Sequence, residues 1–393
     1  MTPAARVQAA IEILDAVIAA AKGGGASADR IAAEWFRTHR FAGSKDRRAI
    51  RDLAWAAIRK CGEIPQSGRA ALLLLATGDE ALAGLFSGEG HGPAPVVPGE
   101  ELASAGTAPR WLAERLAASG LGEEEQAALL GRAPLDLRVN TLKAGLDELA
   151  AALPQAGERV AGTAALRFPP GTPAESWPQF AAGLFEVQDA GSQLACAMLG
   201  AMPGETVVDL CAGAGGKTLA LAAAMDNRGT LVACDIDRAR LSRLPARADR
   251  AGARVETRLL DPKREEAALA DLAGRSDAVL VDAPCSGTGT WRRNPEARWR
   301  IGPQALDRYA AMQDRVLDIA AGLVRPGGRI GFITCSLLDQ EGTERVAAFL
   351  ARHRGWVAET IEAPLGRRRG DGWRLTPHHD GTDGFFFARL HRL

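Results

Sequence analysis

Aromatic residues are scarce in this chain: 5% of its 393 residues are Phe, Trp or Tyr, and one is Tyr. With Ala, Arg and Gly abundant, that scarcity reflects base composition more than function. Net charge is lacking too, because 48 Lys and Arg balance 48 Asp and Glu, which argues against a uniformly basic nucleic-acid binder. Six cysteines are too few to staple a chain of this length, so no disulfide framework is expected. None of them forms a C-x-x-C pair and no His stands near the candidates below, so no metal is expected. Long apolar runs are missing, and Glu12 and Asp15 interrupt the N-terminal apolar pattern, which is wrong for a signal-peptide core. The expectation is a cytoplasmic protein of two or three domains, without a membrane segment.

Locally the chain is less even. From Glu34 to Lys60, eight basic residues (Arg37, Arg40, Lys45, Arg47, Arg48, Arg51, Arg59, Lys60) face three acidic ones (Glu34, Asp46, Asp52), which suits a solvated helix face or a nucleic-acid footing equally well. Apolar positions recur at helical spacing in VQAAIEILDAVIAAA and DRRAIRDLAWAAIRK, with Gly23-Gly24-Gly25 as a break, so the first eighty or so residues are predicted helical. GEGHGPAPVVPGEE, Gly88 to Glu101, has no period and reads as a linker. A helix near Trp111, a strand over Asp136–Asn140, a helix over Leu146–Leu153 and a loop over Phe168–Phe180 follow. From about Phe185, apolar runs (TVVDL, GTLVACDID, ARVETRLLD, SDAVLVDAP, GGRIGFITCS, GFFFARL) alternate with helical segments, the pattern of a doubly wound parallel sheet. The expected domains are helical over 1–105, small and mixed α/β over 106–180, and α/β over 181–393.

The stretch VVDLCAGAGGKT resembles a phosphate loop but fails its pattern. G-x-x-x-x-G-K-[ST] requires Gly where Cys211 stands, and G-x-G-x-x-G requires Gly where Thr218 stands. What remains is a strand, a glycine-rich turn and a helix, which place a ligand at a helix N-terminus above a parallel sheet.

Ligands on such sheets bind at the carboxyl ends of the strands. Asp209, Asp235, Asp261, Asp282 to Cys285, and Thr334-Cys335-Ser336 all fall there. Asp235, some twenty residues past the glycine turn, is placed either to accept ribose hydroxyls or to cap a helix. With the phosphate patterns failing, a nucleoside without polyphosphate fits, and S-adenosylmethionine is one. Cys61, Cys196 and Cys234 read as small buried hydrophobes. Cys285 and Cys335 instead follow strands and neighbour small flexible residues. A cysteine beside a methyl donor has a specific use. Carbon 5 of cytosine is a poor nucleophile, and thiolate addition to carbon 6 turns the ring into an enamine-like species that can attack a methyl sulfonium. A carboxyl group at N3 would stabilise the developing charge, which suits Asp282.

VVDLCAGAGGKT, VACDID, LVDAPCSGTG with WRRNPEARW, and ITCSLLDQEG together resemble the RNA cytosine-5 methyltransferases of the Sun (Fmu) and nucleolar Nop type. GLFEVQDAGSQL, PLDLRVNTLK and TDGFFFARL match as well, so the resemblance covers roughly residues 106 to 393. It implies a Rossmann-like class I methyltransferase sheet. It makes Cys335 the nucleophile, Cys285 the residue that assists product release, and Asp282 a contact to base and cofactor. Cys211, Ala212, Gly213, Ala214, Gly215, Gly216 and Lys217, with Asp235, Asp261 and Asp282, would hold S-adenosylmethionine. FAGSKDRRAIRDLAWAAIRK resembles the NusB-type helical RNA-binding domain fused to bacterial small-subunit ribosomal RNA methyltransferases, which implies a small α/β linker domain between it and the catalytic sheet. The family loop commonly reads C-A-A-P-G-G-K-T, where this chain has Gly213-Ala214, and His is frequent at the place of Asn294. The implied partner is RNA, most of all small-subunit ribosomal RNA, bound by a monomer, with Arg292, Arg293 and the N-terminal basic face on phosphates. Transfer RNA is the alternative substrate. A DNA cytosine-5 methyltransferase would carry P-C-Q where Ser286 follows Pro284-Cys285, and an idle assembly factor has no need of both cysteines.

Overall fold

The structure, a computed structural model, describes residues 1–393 and falls into two compact units. One is Met1–Gly131 together with Thr290–Gly302; the other is Arg132–Gly289 together with Pro303–Leu393. The expected boundaries differ in three ways: residues 132–180 share one unit with the long sheet and form no separate domain, and the helical unit departs at two places. The helical unit runs on to Gly131 through helices Arg110–Ala118 and Glu123–Ala128, and it also takes WRRNPEARW out of the catalytic stretch.

In the second unit, the long sheet has the order β11-β12-β13-β9-β8-β5-β6-β7, with β10 paired to β13. Its strands are β5 (Thr206–Asp209), β6 (Thr230–Asp235), β7 (Glu256–Leu259), β8 (Ser276–Asp282), β9 (Val324–Thr334), β10 (Trp356–Ala358), β11 (Arg367–Arg369), β12 (Gly372–Leu375) and β13 (Phe385–Arg392). All six expected runs are strands. β5 to β9 pair in parallel, whereas β13, the GFFFARL run, is antiparallel to β9. The central strands are continuously apolar because helices cover both faces. Val207 and Val208, Val232 to Cys234, Ala278 to Val281, and Ile330 with Phe332 and Ile333 are buried.

A smaller antiparallel sheet of order β2-β3-β1-β4 belongs to the same unit: β1 (Leu135–Val139), β2 (Glu158–Arg159), β3 (Ala165–Phe168) and β4 (Phe185–Val187). Its core is Leu137, Val139, Leu166, Phe168, Trp177 and Phe185. The buried Asp136 carboxylate accepts a fork from Arg167 at 2.7 and 2.9 Å and the Ala190 N–H at 2.9 Å. Asp189 caps that same helix, Ala190–Ala197. One charge therefore locks the small sheet to a helix that packs on the long one.

In the helical unit, Thr2 starts the first helix, Pro3–Gly23, by accepting the Ala5 N–H, and Pro3 occupies a first-turn position that needs no N–H. Gly24 ends it with φ 72°, a conformation that costs other residues. Helices Ala28–Thr38, Ser44–Lys60 and Gly68–Ala76 close a core of Ile13, Leu14, Val17, Ile50, Ile58 and Leu72. Trp299 is buried in it as well. No helix of the chain is long and apolar enough to cross a membrane.

The Thr290–Gly302 segment supplies what these helices lack at their ends. Arg298 is fully buried and donates to the carbonyls of Ile58 and Cys61 at 2.6 and 2.7 Å, where Ser44–Lys60 ends. Arg300 reaches Gly25 O and Ala26 O at 2.8 and 2.6 Å, just past the first helix. Glu296 accepts the Ala28 N–H at 2.9 Å, at the start of the second. A cation at a C-terminus and an anion at an N-terminus both oppose the helix dipole favourably. Burial pulls the Arg298 guanidinium down to about 10, still charged at neutral pH. Arg298→Leu should leave these carbonyls unpaired in the core and cost about 2–4 kcal/mol of stability, summing one to two unsatisfied buried groups. Urea unfolding of the full chain, with hydrogen exchange in Ser44–Lys60, measures this; an unchanged midpoint would refute the capping role.

Candidate active site

β5 and β6 deliver two carboxylates with different partners. Asp209 is buried; its Oδ2 accepts the Thr218 hydroxyl at 2.6 Å, while its Oδ1 has no partner. Burial pushes this carboxyl up to about 7, against the opposing Thr218 hydrogen bond. Asp235 accepts the Gly213 N–H at 2.6 Å and the Asp237 N–H at 2.7 Å. It is not the helix cap: that is Asp237, which accepts the Ala239 and Arg240 N–H groups. Asp235 thus braces the glycine turn from the neighbouring strand end.

The turn itself has the shape the glycines allow. Gly213 and Gly215 have φ of 56° and 88°, and a Cβ on Gly215 would lie 2.1 Å from Leu244 Cδ1. Ala212 donates to Cys234 O at 2.9 Å, which fixes the turn to β6. Two arginines hold its carbonyls. Arg247 donates to Ala214 O at 2.7 Å and pairs with the buried Glu186 at 2.7 Å. Arg138, from β1, donates to Gly216 O at 2.8 Å and Gln188 Oε1 at 2.6 Å. These contacts restrict the folded turn at the position where the family commonly has Pro. No side chain caps the Gly216–Ala224 helix that follows. Its first N–H groups are thus open to an anionic group, and Cys211 to Lys217 with Asp235 are the residues that could hold a nucleoside cofactor. Cys211 is a neutral thiol, its pKa raised well above the ordinary value by burial. Asp261 lies two residues beyond β7, exposed, in a turn closed by the Arg264 N–H on its carbonyl.

β8 and β9 deliver a carboxylate and two cysteines. Asp282 Oδ2 accepts the Lys217 ammonium at 2.7 Å. Burial alone would lower Lys217, but the Asp282 charge outweighs it and the ammonium is held above its usual range. Cys285 and Cys335 meet with their sulfurs 3.3 Å apart. The hydrogen bond to Cys335, and then burial, push the Cys285 thiol well up, so it keeps its proton at neutral pH.

Glu341, in the DQEG stretch, holds both cysteine loops together. Fully buried, it accepts the Ser286 N–H at 2.8 Å, the Ser286 hydroxyl, the Ser336 hydroxyl at 2.6 Å and the Gln313 amide at 3.2 Å. Thr288 adds a second tie, accepting the Leu337 N–H at 2.8 Å. Sequence reasoning missed Glu341, Gln313, Arg138 and Arg247. Spacing gives no signal for any of them, since each makes a decisive contact across 28 or more residues. It also set Arg292 on phosphates; the structure buries Arg292 in the helical unit at 7% exposure, and Arg293 is half-buried.

Two outcomes test this arrangement. Glu341→Gln replaces one acceptor oxygen with a donor amide facing other donors, and should cost about 1–3 kcal/mol in urea unfolding; an equally stable variant would remove Glu341 as the tie. For Asp209, the folded pKa near 7 lies above the unfolded value of about 3.9. Its contribution is therefore full below pH 4 and is lost as pH rises to about 7, by up to about 1.4 kcal/mol per pH unit. Asp209→Asn should flatten the stability profile between pH 4 and 7, and a slope identical to that of the parent protein counts against the neutral carboxyl.

Comparison with known proteins places the chain in a family. A family model described as 16S rRNA methyltransferase RsmB/F matches residues 196–391. The ribosomal RNA small subunit methyltransferase B of Xylella fastidiosa (strain 9a5c) is 36% identical over 291 residues, covering 72% of this chain and 68% of that protein. The Erwinia tasmaniensis protein of the same name is 32% identical over 288 residues; the match takes in 72% of this chain and 66% of the relative, just under two thirds of its length. Among solved structures, that of PH0851 superposes with a TM-score of 0.76 at 24% identity, covering 100% of this chain and 99% of the other. A methyltransferase homolog protein from Pyrococcus horikoshii gives 0.61 at 24% identity over 72% of this chain and 99% of its own. These two likenesses concern the fold alone. With the relatives and the family model in agreement, the chain belongs to the RsmB/F methyltransferase family, and S-adenosylmethionine is its cofactor.

Proposed function

We propose that this chain methylates carbon 5 of cytosine in small-subunit ribosomal RNA through a covalent cysteine adduct. The observation that carries the reading is the pair of sulfurs, 3.3 Å apart, at the ends of adjacent parallel strands beside the Lys217–Asp282 pair. The cofactor, when bound, supplies an electrophilic methyl group. Cys335 forms a bond to carbon 6, the electron pair moves to carbon 5, and carbon 5 takes the methyl group. In the resting pair the neutral Cys285 lies within hydrogen-bond distance of the Cys335 sulfur, at 3.3 Å. After transfer, Cys285 assists loss of the carbon 5 proton and rupture of the bond to carbon 6. Asp282 contacts the N3 edge, with Lys217 beside it to offset charge that develops there.

The family and the names of its relatives support ribosomal RNA as the substrate. A cytosine inside a helix cannot reach strand ends, so the target is an unpaired or flipped base. The helical N-terminal unit, read as a NusB-type RNA-binding domain, holds the RNA in a monomeric, cytoplasmic enzyme. Residues 132–187, with their own small sheet, serve as the linker element that pins the cofactor turn through Arg138 and Glu186.

The two cysteines separate by their failures. Cys335→Ala should abolish methyl transfer to ribosomal RNA, with at least a thousandfold loss in single-turnover rate, about 4 kcal/mol of barrier, while retaining cofactor. Cys285→Ala should methylate once and stay attached to RNA, seen as a protein band of reduced mobility in denaturing gels. A trapped complex from Cys335→Ala and none from Cys285→Ala would reverse the roles. Mass spectrometry of digested RNA locates the methyl group, and label on any atom other than cytosine carbon 5 ends the proposal.

A further inference from the structure

We propose that the turn joining helices Ala28–Thr38 and Ser44–Lys60 is a stacking platform for unpaired bases of single-stranded RNA. Trp35, His39 and Phe41 supply the rings, and Arg40, Lys45 and Arg48 the phosphate contacts. The platform rests on the RNA reading above and assigns it a place on the helical unit.

Phe41 is 67% exposed, yet it does not stand alone. Its ring meets Trp35 edge-on at 6.4 Å and His39 edge-on at 5.7 Å, and those two rings lie stacked at 3.9 Å, nearly parallel. The cluster is held in place. Trp35 Nε1 donates to Glu12 at 3.1 Å, and His39 Nδ1 lies 2.8 Å from Trp35 O. Arg47 donates to Ala42 O at 2.8 Å and Phe36 O at 3.3 Å, bracing the turn that carries Phe41 outward. In a chain with so few aromatics, three adjoining rings, Phe41 exposed and Trp35 and His39 half-buried beneath it, are a concentrated resource.

Charge decides what the face suits. Glu34 is taken by Arg37, Asp29 by Arg51, and Asp46 by Arg6 and the N-terminal amine. Arg40, Lys45 and Arg48 are exposed and make no ion pair, and Asp52, one turn on from Arg48, is the one further carboxylate of these two helices. A protein partner would meet a rim of charge with little apolar core, the reverse of a usual interface centre. A duplex hides its base faces from a ring. Unpaired bases with flanking phosphates satisfy both features, since each stacked base contributes to affinity regardless of sequence and each phosphate neutralises a cation.

The test uses the full chain and a fluorescein-labelled, mixed-sequence single-stranded 12-nucleotide RNA, with its duplex as control, in fluorescence anisotropy. Phe41→Ala should weaken single-strand binding about 5- to 150-fold, the range for one stacked base. Its salt dependence should match the parent's, and Phe41→Trp should restore affinity. Lys45→Ala/Arg48→Ala should lessen the salt slope instead. Phe41 is exposed, so its unfolding midpoint should not move. Unchanged single-strand affinity in Phe41→Ala, with the slope lowered in the double variant, overturns the platform and leaves the RNA reading standing. If Phe41→Ala keeps naked-RNA affinity but loses binding to protein-containing small-subunit particles, the face docks protein and the platform is wrong. Methyl transfer by the parent protein, assayed in parallel, separates these cases: no transfer to any RNA defeats the wider reading itself.

Discussion

The parallel register of β8 on β9 is the constraint from which the site follows. Asp282 stands opposite Ile333, so the chain after each strand emerges at the same level and Cys285 and Cys335 are brought together. Parallel strands need long crossovers, and here about forty residues separate the two ends, including the whole Thr290–Gly302 excursion and the Pro303–Leu323 helix. Register alone places the loops; it does not fix their tips. The buried Glu341 does that, because a desolvated carboxylate must collect donors, and the donors available belong to Ser286 on one loop and Ser336 on the other. A neutral residue there would leave two sulfurs near each other without a reason to stay so.

Arginine serves this protein largely as an internal hydrogen-bond donor. Arg138 and Arg247 hold the carbonyls of the cofactor turn, while Arg298 and Arg300 hold carbonyls at helix ends. A guanidinium suits the task because its planar fork reaches several oxygens at once and stays charged where a lysine would shift. Arg138 shows the cost: burial pulls it to about 10, and only paired acceptors make that tolerable. Basic residues counted along the sequence therefore overstate the charge the surface offers to any ligand. Of the eight from Glu34 to Lys60, Arg37 and Arg51 are spent on carboxylates and Arg47 on backbone carbonyls.

The parts legible in the sequence were those governed by local period and spacing. Six apolar runs became strands, the glycine turn fell between β5 and its helix, and Asp209, Asp235, Asp282, Cys285 and Cys335 lie at or just past strand ends. Asp235 was readable as a strand-end carboxylate, yet its choice between cap and brace was not, because Asp237 two residues on takes the cap. Glu341 was quoted within a motif without a role, since nothing local says that an acid in a short turn will be fully buried. WRRNPEARW misled most. Its arginines look like phosphate ligands in a basic exposed loop, whereas Arg292 and Arg298 are buried in the helical unit and their neighbour Trp299 joins its core. Such placement depends on helix ends more than two hundred residues away, beyond any periodicity.

That excursion links the helical unit to the Cys285 loop along the chain itself. Thr290, where the helical unit regains the chain, follows Cys285 by five residues. Within the helical unit, Glu296 then caps the start of Ala28–Thr38, and Arg298 closes the end of Ser44–Lys60. These are the two helices that flank the Phe41 turn, each held at the end remote from it. Ordering of the turn and ordering of the segment beyond the cysteine loop thus share the same hydrogen bonds. A helical unit built from residues before 132 alone would lack three of its helix-end partners and a core tryptophan. The helical unit is therefore completed by a segment that begins five residues past Cys285 in the chain, and residues before 132 do not by themselves make it whole.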